Sequence, residues 1–439
     1  MRNHTRRRDF LKTSLLAAGS SVLPLDAQPD PRLPVAALIT EYRHWSHADV
    51  IITKLLEGYD HDGGAGPNLR LAGMYVDQFP DNDMARDLAR KHSIPIFETI
   101  EDAITLGTGA VAVKGVLSIG EHGKYPYTPD TNQHMYPRRR FFDGIAATFL
   151  KYGQVVPVFN DKHLAHSWAD AKFMYDTAQA MKMPFMAGSS IPVTWRIPPL
   201  ELPRGCEIEE AAGLGYGDIE AYGFHTLEGV QCMVERRGGY ETGVAAVETY
   251  KGRKAVEEAA RKGLWSTELV EAALEATPDR FPGRPAPEDY DRDDFAIFRV
   301  EYRDGLKATI IIANPAVQTF GFACKLKGEA KPRTTEFELQ RGAPFRHFGY
   351  LIDAVEPMIR TGLPTYPVER TLLTTGVIDA VMHSLAEGGR RIETPHMKIA
   401  YKPADWAFAP GAPPEPAVPE GSWQHLQKAR ELRKQRSGV

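Results

Sequence analysis

Cysteine is scarce. Three residues, Cys206, Cys232 and Cys324, are scattered along 439 positions, too few and too far apart for a disulfide framework or a cysteine zinc site. Long apolar runs are absent too. None approaches the ~20 residues that a membrane-spanning helix requires, so no integral membrane association is expected. There is no excess of positive charge, since 53 Lys and Arg stand against 57 Asp and Glu for a formal net charge of −4. A chain without a basic field is not expected to hold nucleic acid. Two catalytic signatures are also missing. No H-E-x-x-H segment occurs, and Ser189-Ser190 lacks the G-x-S-x-G spacing of a nucleophile elbow, which argues against a serine hydrolase. No internal repeat is visible.

What is present suits an ordinary folded protein. Hydrophobic residues make up 43% and charged residues 25%, which is enough apolar material for sizeable cores, and the length predicts two or three domains. The chain opens on Arg6-Arg7-Arg8-Asp9-Phe10-Leu11-Lys12, followed by a modest apolar run over residues 15–25. A basic region before a short apolar one predicts a signal peptide of the twin-arginine type over residues 1–28. A linker over 29–34 would follow, in a mature chain that is periplasmic or exported. The alternative reading of this segment is a disordered basic arm.

From residue 35 the pattern alternates. Short apolar runs of strand length fall at 35–40, 69–76, 94–97, 115–120, 155–159 and 184–187, and helical periodicity falls at 46–59, 83–92, 100–106, 141–152 and 169–181. This predicts an α/β, Rossmann-like, doubly wound parallel sheet over residues 35–198. Ligands in such sheets lie beyond the carboxyl ends of the strands. Those ends carry Thr40-Glu41-Tyr42-Arg43, Asp77, Glu121-His122-Gly123-Lys124 and Asn160-Asp161-Lys162-His163. After Pro198-Pro199 the grammar changes. Strands at 295–302, 306–313, 320–327 and 334–340 and helices at 348–361 and 368–386 predict a largely antiparallel α+β domain over 199–403. Arg303-Asp304-Gly305 is a hairpin turn signal. A Pro-rich and charged tail fills 404–439, with 424–436 as a charged stretch of helical character.

The chain resembles the Gfo/Idh/MocA family, the glucose-fructose oxidoreductase and inositol dehydrogenase group, from about residue 35 to 400. The family's Glu-Lys-Pro motif at the end of its fifth strand is matched by Asp161-Lys162-His163. Its Gly-x-His segment with a following acid is matched by Gly223-Phe224-His225-Thr226-Leu227-Glu228. Ser384 with Gly388-Gly389-Arg390-Arg391-Ile392 resembles its closing helix and strand. The resemblance implies an open antiparallel sheet in the second domain, a homo-oligomer, and an oxidoreductase that uses NAD or NADP on a hydroxyl of a sugar or cyclic polyol. It implies catalytic roles for Lys162, His225 and Asp161. Cofactor contacts fall to Thr40, Arg43, Asp77, Glu121 and His122, and substrate contacts to Lys124, His163 and Glu228.

One segment departs from the family. Its glycine-rich G-x-G-x-x-G turn is replaced by Thr40-Glu41-Tyr42-Arg43-His44-Trp45-Ser46-His47, which holds no glycine. Arg43, His44 and the helix amides around Ser46 and His47 remain to meet a phosphate. Two other readings therefore stand beside the dehydrogenase. One is a carbohydrate lyase, hydrolase or isomerase on the same scaffold, metal-assisted if His122, Asp161, His163, His166 and His225 converge, although no metal is assigned. The other is a non-catalytic carbohydrate-binding protein. Tyr136-Pro137-Arg138-Arg139-Arg140 is either an anion clamp or a solvated basic turn.

Overall fold

A computed structural model describes residues 30–277, 295–314, 317–340 and 342–413. The expected signal peptide and the charged stretch of the tail lie outside the described residues. The chain divides into two units, Met1–Pro31 and Arg32–Val439, and both of its sheets belong to the second.

Strand β1 (Leu33–Ile39) is the apolar run LPVAALI. The expected linker ends sooner than residue 34, because Leu33 and Pro34 already pair with Leu69 and Arg70 of β2 (Leu69–Val76). The strands β3 (Ile96–Phe97), β4 (Gly115–Ile119), β5 (Val158–Asp161) and β6 (Phe185–Gly188) complete a sheet. Its order is β3-β2-β1-β4-β5-β6, with every pairing parallel. The order reverses between β1 and β4. That is the topological switch point, where adjacent crossovers diverge and leave a crevice above the strand ends.

Successive side chains of a strand point to opposite faces, and β1 feeds two cores in this way. Val35, Ala37 and Ile39 pack on one face with Val50, Ile51 and Leu55 of α1 (His47–Glu57). Ala36 and Leu38 pack on the other with Ile104 of α3 (Ile100–Thr105) and with Phe141, Phe142 and Ile145 of α4 (Arg138–Tyr152). The α2 helix (Ala85–His92) adds Ala85 and Ala89 to the α1 side, and α5 (Trp168–Ala180) adds Ala171, Met174 and Ala178 to the α4 side. Helix α4 starts at Arg138, three residues before the expected 141, which sets Arg138 at the mouth of the crevice.

The second sheet is largely antiparallel, as expected, and runs β14-β9-β10-β11-β8-β12-β13-β7. Its members are β7 (Trp195–Ile197), β8 (Ile208–Gly215), β9 (Val244–Lys251), β10 (Phe295–Tyr302), β11 (Lys307–Ala313), β12 (Phe320–Leu326), β13 (Arg333–Glu338) and β14 (Ile392–Glu393). Only β8 and β11 run parallel. The turn at Arg303-Asp304-Gly305 joins β10 to β11 as a hairpin, with Glu301 opposite Lys307. One face is covered by α6 (Ala221–Val234) and α10 (Glu369–Ala386). The other is covered by α7 (Arg253–Arg261) and α8 (Thr267–Glu275), through Ala259, Leu269 and Ala273.

Helix α9 (Arg346–Thr361) crosses back to the first sheet. Leu351, Ile352, Val355 and Met358 join the core under β1 and β2. A Cβ on Gly115 would stand 2.8 Å from Ile359, so glycine in β4 admits this helix. The division at residue 198 does not anticipate this return, and β7 already belongs to the second sheet.

Candidate active site at the strand ends

The crevice at the switch point is closed below by Thr40, whose hydroxyl donates to the Glu121 carbonyl and whose N–H donates to the Ile119 carbonyl at 3.3 Å. Thr40 is buried. It ties the end of β1 to the end of β4.

Glu121 is the centre of a buried ion cluster. Lys162 Nζ donates to Oε1 at 2.9 Å, and the Arg138 guanidinium donates to Oε2. Burial alone would raise the Glu121 carboxyl, but the charges of Lys162 and Arg138 hold it well below the usual carboxylate range. Arg138 also reaches His163 Nε2 at 3.0 Å. Burial, followed by the charge of Arg138, keeps His163 well below the usual imidazole range. His163 itself is buried, its ring against Phe224 at 5.1 Å. Buried ion clusters gain little stability, because desolvation offsets their Coulomb attraction. At a ligand crevice such a cluster is a mark of chemistry.

The backbone supports that reading. Trp45, His122 and Lys162 have φ of 63°, 72° and 62°, in the left-handed region that side chains rarely enter. All three follow a strand of the first sheet, and non-glycine residues held so concentrate at functional sites. The Lys162 N–H donates to the Gly188 carbonyl at 3.1 Å. Gly188 has φ 129°, and a Cβ there would meet Glu228 Oε2 at 2.6 Å and Thr371 Oγ1 at 2.9 Å, so no other residue can hold Lys162 from that position.

Asp161 is buried, and its carboxylate meets the ring of His47, with Oδ2 2.6 Å from Nδ1. His47 is the first residue of α1. Its N–H donates to His122 Nδ1 at 3.3 Å, and its ring lies 5.3 Å from those of His122 and Phe348. Burial takes His122 well below the usual imidazole range.

His225 comes from α6 in the second half of the chain. Its Nδ1 is 2.6 Å from Ser189 Oγ. Burial lowers His225 far below the usual range, and the charge of Lys162 adds to that effect. The two family matches therefore reach one crevice. Glu228 does not touch His225. It is buried, accepts from Thr374 Oγ1 at 2.6 Å and from the Ser189 N–H at 3.3 Å, and so braces the serine that braces the histidine. Lys124 is exposed, its backbone bonded to the Gln78 side chain on both sides.

Asp77 ends β2 and accepts from the Tyr75 and Tyr125 hydroxyls and from Arg140 at 2.5, 2.6 and 2.6 Å. Of the three consecutive arginines, Arg138 is thus the one turned into the crevice.

In the β1–α1 turn, Tyr42 is buried with its hydroxyl 2.7 Å from Thr53 Oγ1, and Arg43 Nε donates to Glu41 at 2.5 Å. The helix start is already partnered. Asp49 N–H donates to Ser46 Oγ at 3.3 Å, and Trp45 N–H donates to the Asp49 carboxylate at 2.9 Å. The turn therefore offers a dinucleotide no bare backbone cradle. The donor set fits one through side chains, since Arg43 and Arg140 keep 30% and 52% of their side chains exposed, with Asp77 between Arg140 and the strand ends.

Residues whose side-chain roles the sequence reading did not assign complete the crevice. His47 and Ser189, read there only as a helix-start amide and as lacking a nucleophile elbow, hold Asp161 and His225. Glu220, which precedes α6, accepts the His134 N–H at 2.8 Å. Burial pushes its carboxyl up to about 8. Among the described residues, no three His, Cys, Asp or Glu stand where they would share one metal ion, and no helix is long and apolar enough to cross a membrane.

No family model and no curated protein matches this chain. Solved structures do. GenD2 from gentamicin A biosynthesis, in complex with NAD, aligns over 85% of this chain and 99% of its own at 13% identity, with a TM-score of 0.52. The myo-inositol dehydrogenase of Lactobacillus casei, in complex with NAD(H) and myo-inositol, aligns over 82% and 96% at 8% identity and 0.50. The apo scyllo-inositol dehydrogenase of the same organism aligns over 83% and 98% at 8% and 0.50. These likenesses establish the fold, a parallel six-stranded sheet followed by a mostly antiparallel one, shared with these three proteins along nearly their whole length.

Proposed function

We propose that the protein is an oxidoreductase that uses NAD or NADP on a hydroxyl of a sugar or cyclic polyol. The observation that carries this reading is the buried Lys162–Glu121 pair at the ends of β5 and β4, at the switch point of a sheet shared with two NAD-bound proteins, one of them a myo-inositol dehydrogenase. Arg43 would meet the pyrophosphate, and Asp77 with Arg140 the adenosine ribose. The chemistry a nicotinamide supplies when bound is acceptance of hydride from the carbinol carbon. Lys162, paired with and pointed by Glu121, donates to the substrate oxygen and stabilises negative charge on it. His225, neutral and held by Ser189, orients a neighbouring hydroxyl. We also propose that the mature chain acts in the periplasm, on the strength of Arg7-Arg8 and Phe10-Leu11-Lys12.

The test is to denature protein purified after export by its own signal and to measure released nucleotide. NAD(H) or NADP(H) should appear, and Lys162→Ala should keep the nucleotide while kcat falls by ~10²–10⁴. No released nucleotide, together with no binding of added NAD or NADP, would overturn the redox reading. A second reading would then replace it, a lyase, hydrolase or isomerase on the same scaffold, favoured by the self-capped start of α1.

A further inference from the structure

We infer that His47 is the proton acceptor of this crevice, with Asp161 as its positioning residue. The inference rests on the reading of the crevice as an enzyme site for a hydroxyl substrate, and it holds for redox and non-redox chemistry alike.

The geometry is specific. A carboxylate only accepts hydrogen bonds, so a ring nitrogen 2.6 Å from Asp161 Oδ2 carries the proton. In the neutral ring that leaves Nε2 as a bare lone pair. Among the described residues no protein group is bonded to Nε2. Asp161 is fixed on β5, where it pairs with Gly188 of β6, and its side chain is 1% exposed. His47 is fixed at its own backbone by His122 and at its ring by His122 and Phe348. Its side chain keeps 12% exposure, so one edge opens on the crevice.

Four neighbouring groups are already committed to partners. Lys162 is bound to Glu121 as a donor. Glu121 is saturated by Lys162 and Arg138. His163 and His225 are already engaged, with Arg138 and Ser189. In the step itself, the O–H bond of the substrate breaks and its proton forms a bond with Nε2. The electron pair stays on oxygen, next to the Lys162 ammonium. The imidazolium so formed keeps its Nδ1–H on Asp161, which remains ionised. Asp161 thus orients the ring and does not itself take the proton.

The deciding measurement needs neither nucleotide nor turnover. In ¹⁵N-histidine-labelled protein, at a pH high enough that the ring holds a single proton, the His47 Nδ1 should show the shift of a protonated ring nitrogen and Nε2 that of a bare one, and Asp161→Asn should abolish this preference. A protonated Nε2 with a bare Nδ1, or a preference unchanged in Asp161→Asn, would overturn the inference even if NAD is bound. A second arm reads the role, with myo-inositol and NAD as the probe pair. His47→Gln should lower kcat by ~10²–10⁴ with KM little changed, and added imidazole should restore part of it. A purely structural histidine gives no such return, and undiminished kcat would also overturn the assignment.

Discussion

Glu220 is a carboxyl whose surroundings decide its charge. It is 6% exposed, one oxygen accepts the His134 N–H, and the other has no partner. Burial is the largest influence and Asp218 adds to it, so the group titrates at about 8 instead of 4.5. The folded state therefore binds more protons than the unfolded state between those values. The stability Glu220 contributes is full below about 4.5 and is lost as pH rises through about 8. Glu220→Gln keeps the acceptor and removes the titration. Urea unfolding from pH 5 to 8 should show the wild type losing stability relative to the variant, by at most ~1.4 kcal/mol per pH unit. Parallel curves would refute the buried acid. Several crevice residues were legible beforehand for a simple reason. Lys162 and His225 sit in contiguous motifs, where spacing carries the signal. His47 was read only for its backbone amide at the helix start, because the partner of its side chain, Asp161, is 114 residues away. The one local clue was Ser46 with Asp49, a helix-start pattern that makes His47 the first helical residue.

Elements were readable where periodicity was strong. The strands of the first sheet are short apolar runs buried on both faces, and their helices alternate with them. Strand β8 was missed because its buried half, residues 211–215, is Ala-Ala-Gly-Leu-Gly. Such a stretch has little strand propensity, and its small side chains leave room for α6, not for a pattern. Helices α7 and α8 were missed as well, and they bear on assembly. The resemblance implied an open sheet that pairs between subunits. Here α7 and α8 lie on that sheet, with Leu269 and Ala273 buried against β8 and β12 and Trp265 against Tyr250 at 5.9 Å. Direct pairing of this sheet face between subunits would have to displace α7 and α8. Leu269→Asp places a charge against that apolar sheet face and should lift α8 from it. The uncovered face should drive concentration-dependent self-association, seen as mass growth in light scattering, while the wild type shows none through this face. A variant that stays folded by circular dichroism and keeps the wild-type mass at every concentration would sink the covering role.

At the scale of the molecule, what holds the fold is core and not covalent bonds. Cys206, Cys232 and Cys324 are free thiols, so the chain needs no oxidising compartment to reach its folded state. Two sheets supply four apolar clusters, and α9 ties the C-terminal half to the first sheet. Buried pairs such as Arg370 with Glu235 link α10 to the end of α6. They would leave charges unpaired if the chain crossed a membrane unfolded and had to re-pair them outside. A protein built this way can complete folding in the cytoplasm, where the proposed nucleotide would be taken up. That is the circumstance in which a twin-arginine signal is of use, since it serves chains that cross already folded. The motif lies at Arg7-Arg8 with Phe10-Leu11-Lys12. Lysine keeps the positive charge of the segment but not the guanidinium geometry, so replacing both arginines tests the motif and not the charge. Arg7→Lys with Arg8→Lys should leave full-length precursor in the cytoplasm, folded and carrying whatever nucleotide the wild type carries. Export of the double variant at the wild-type rate would refute the twin-arginine route and return this segment to a basic arm.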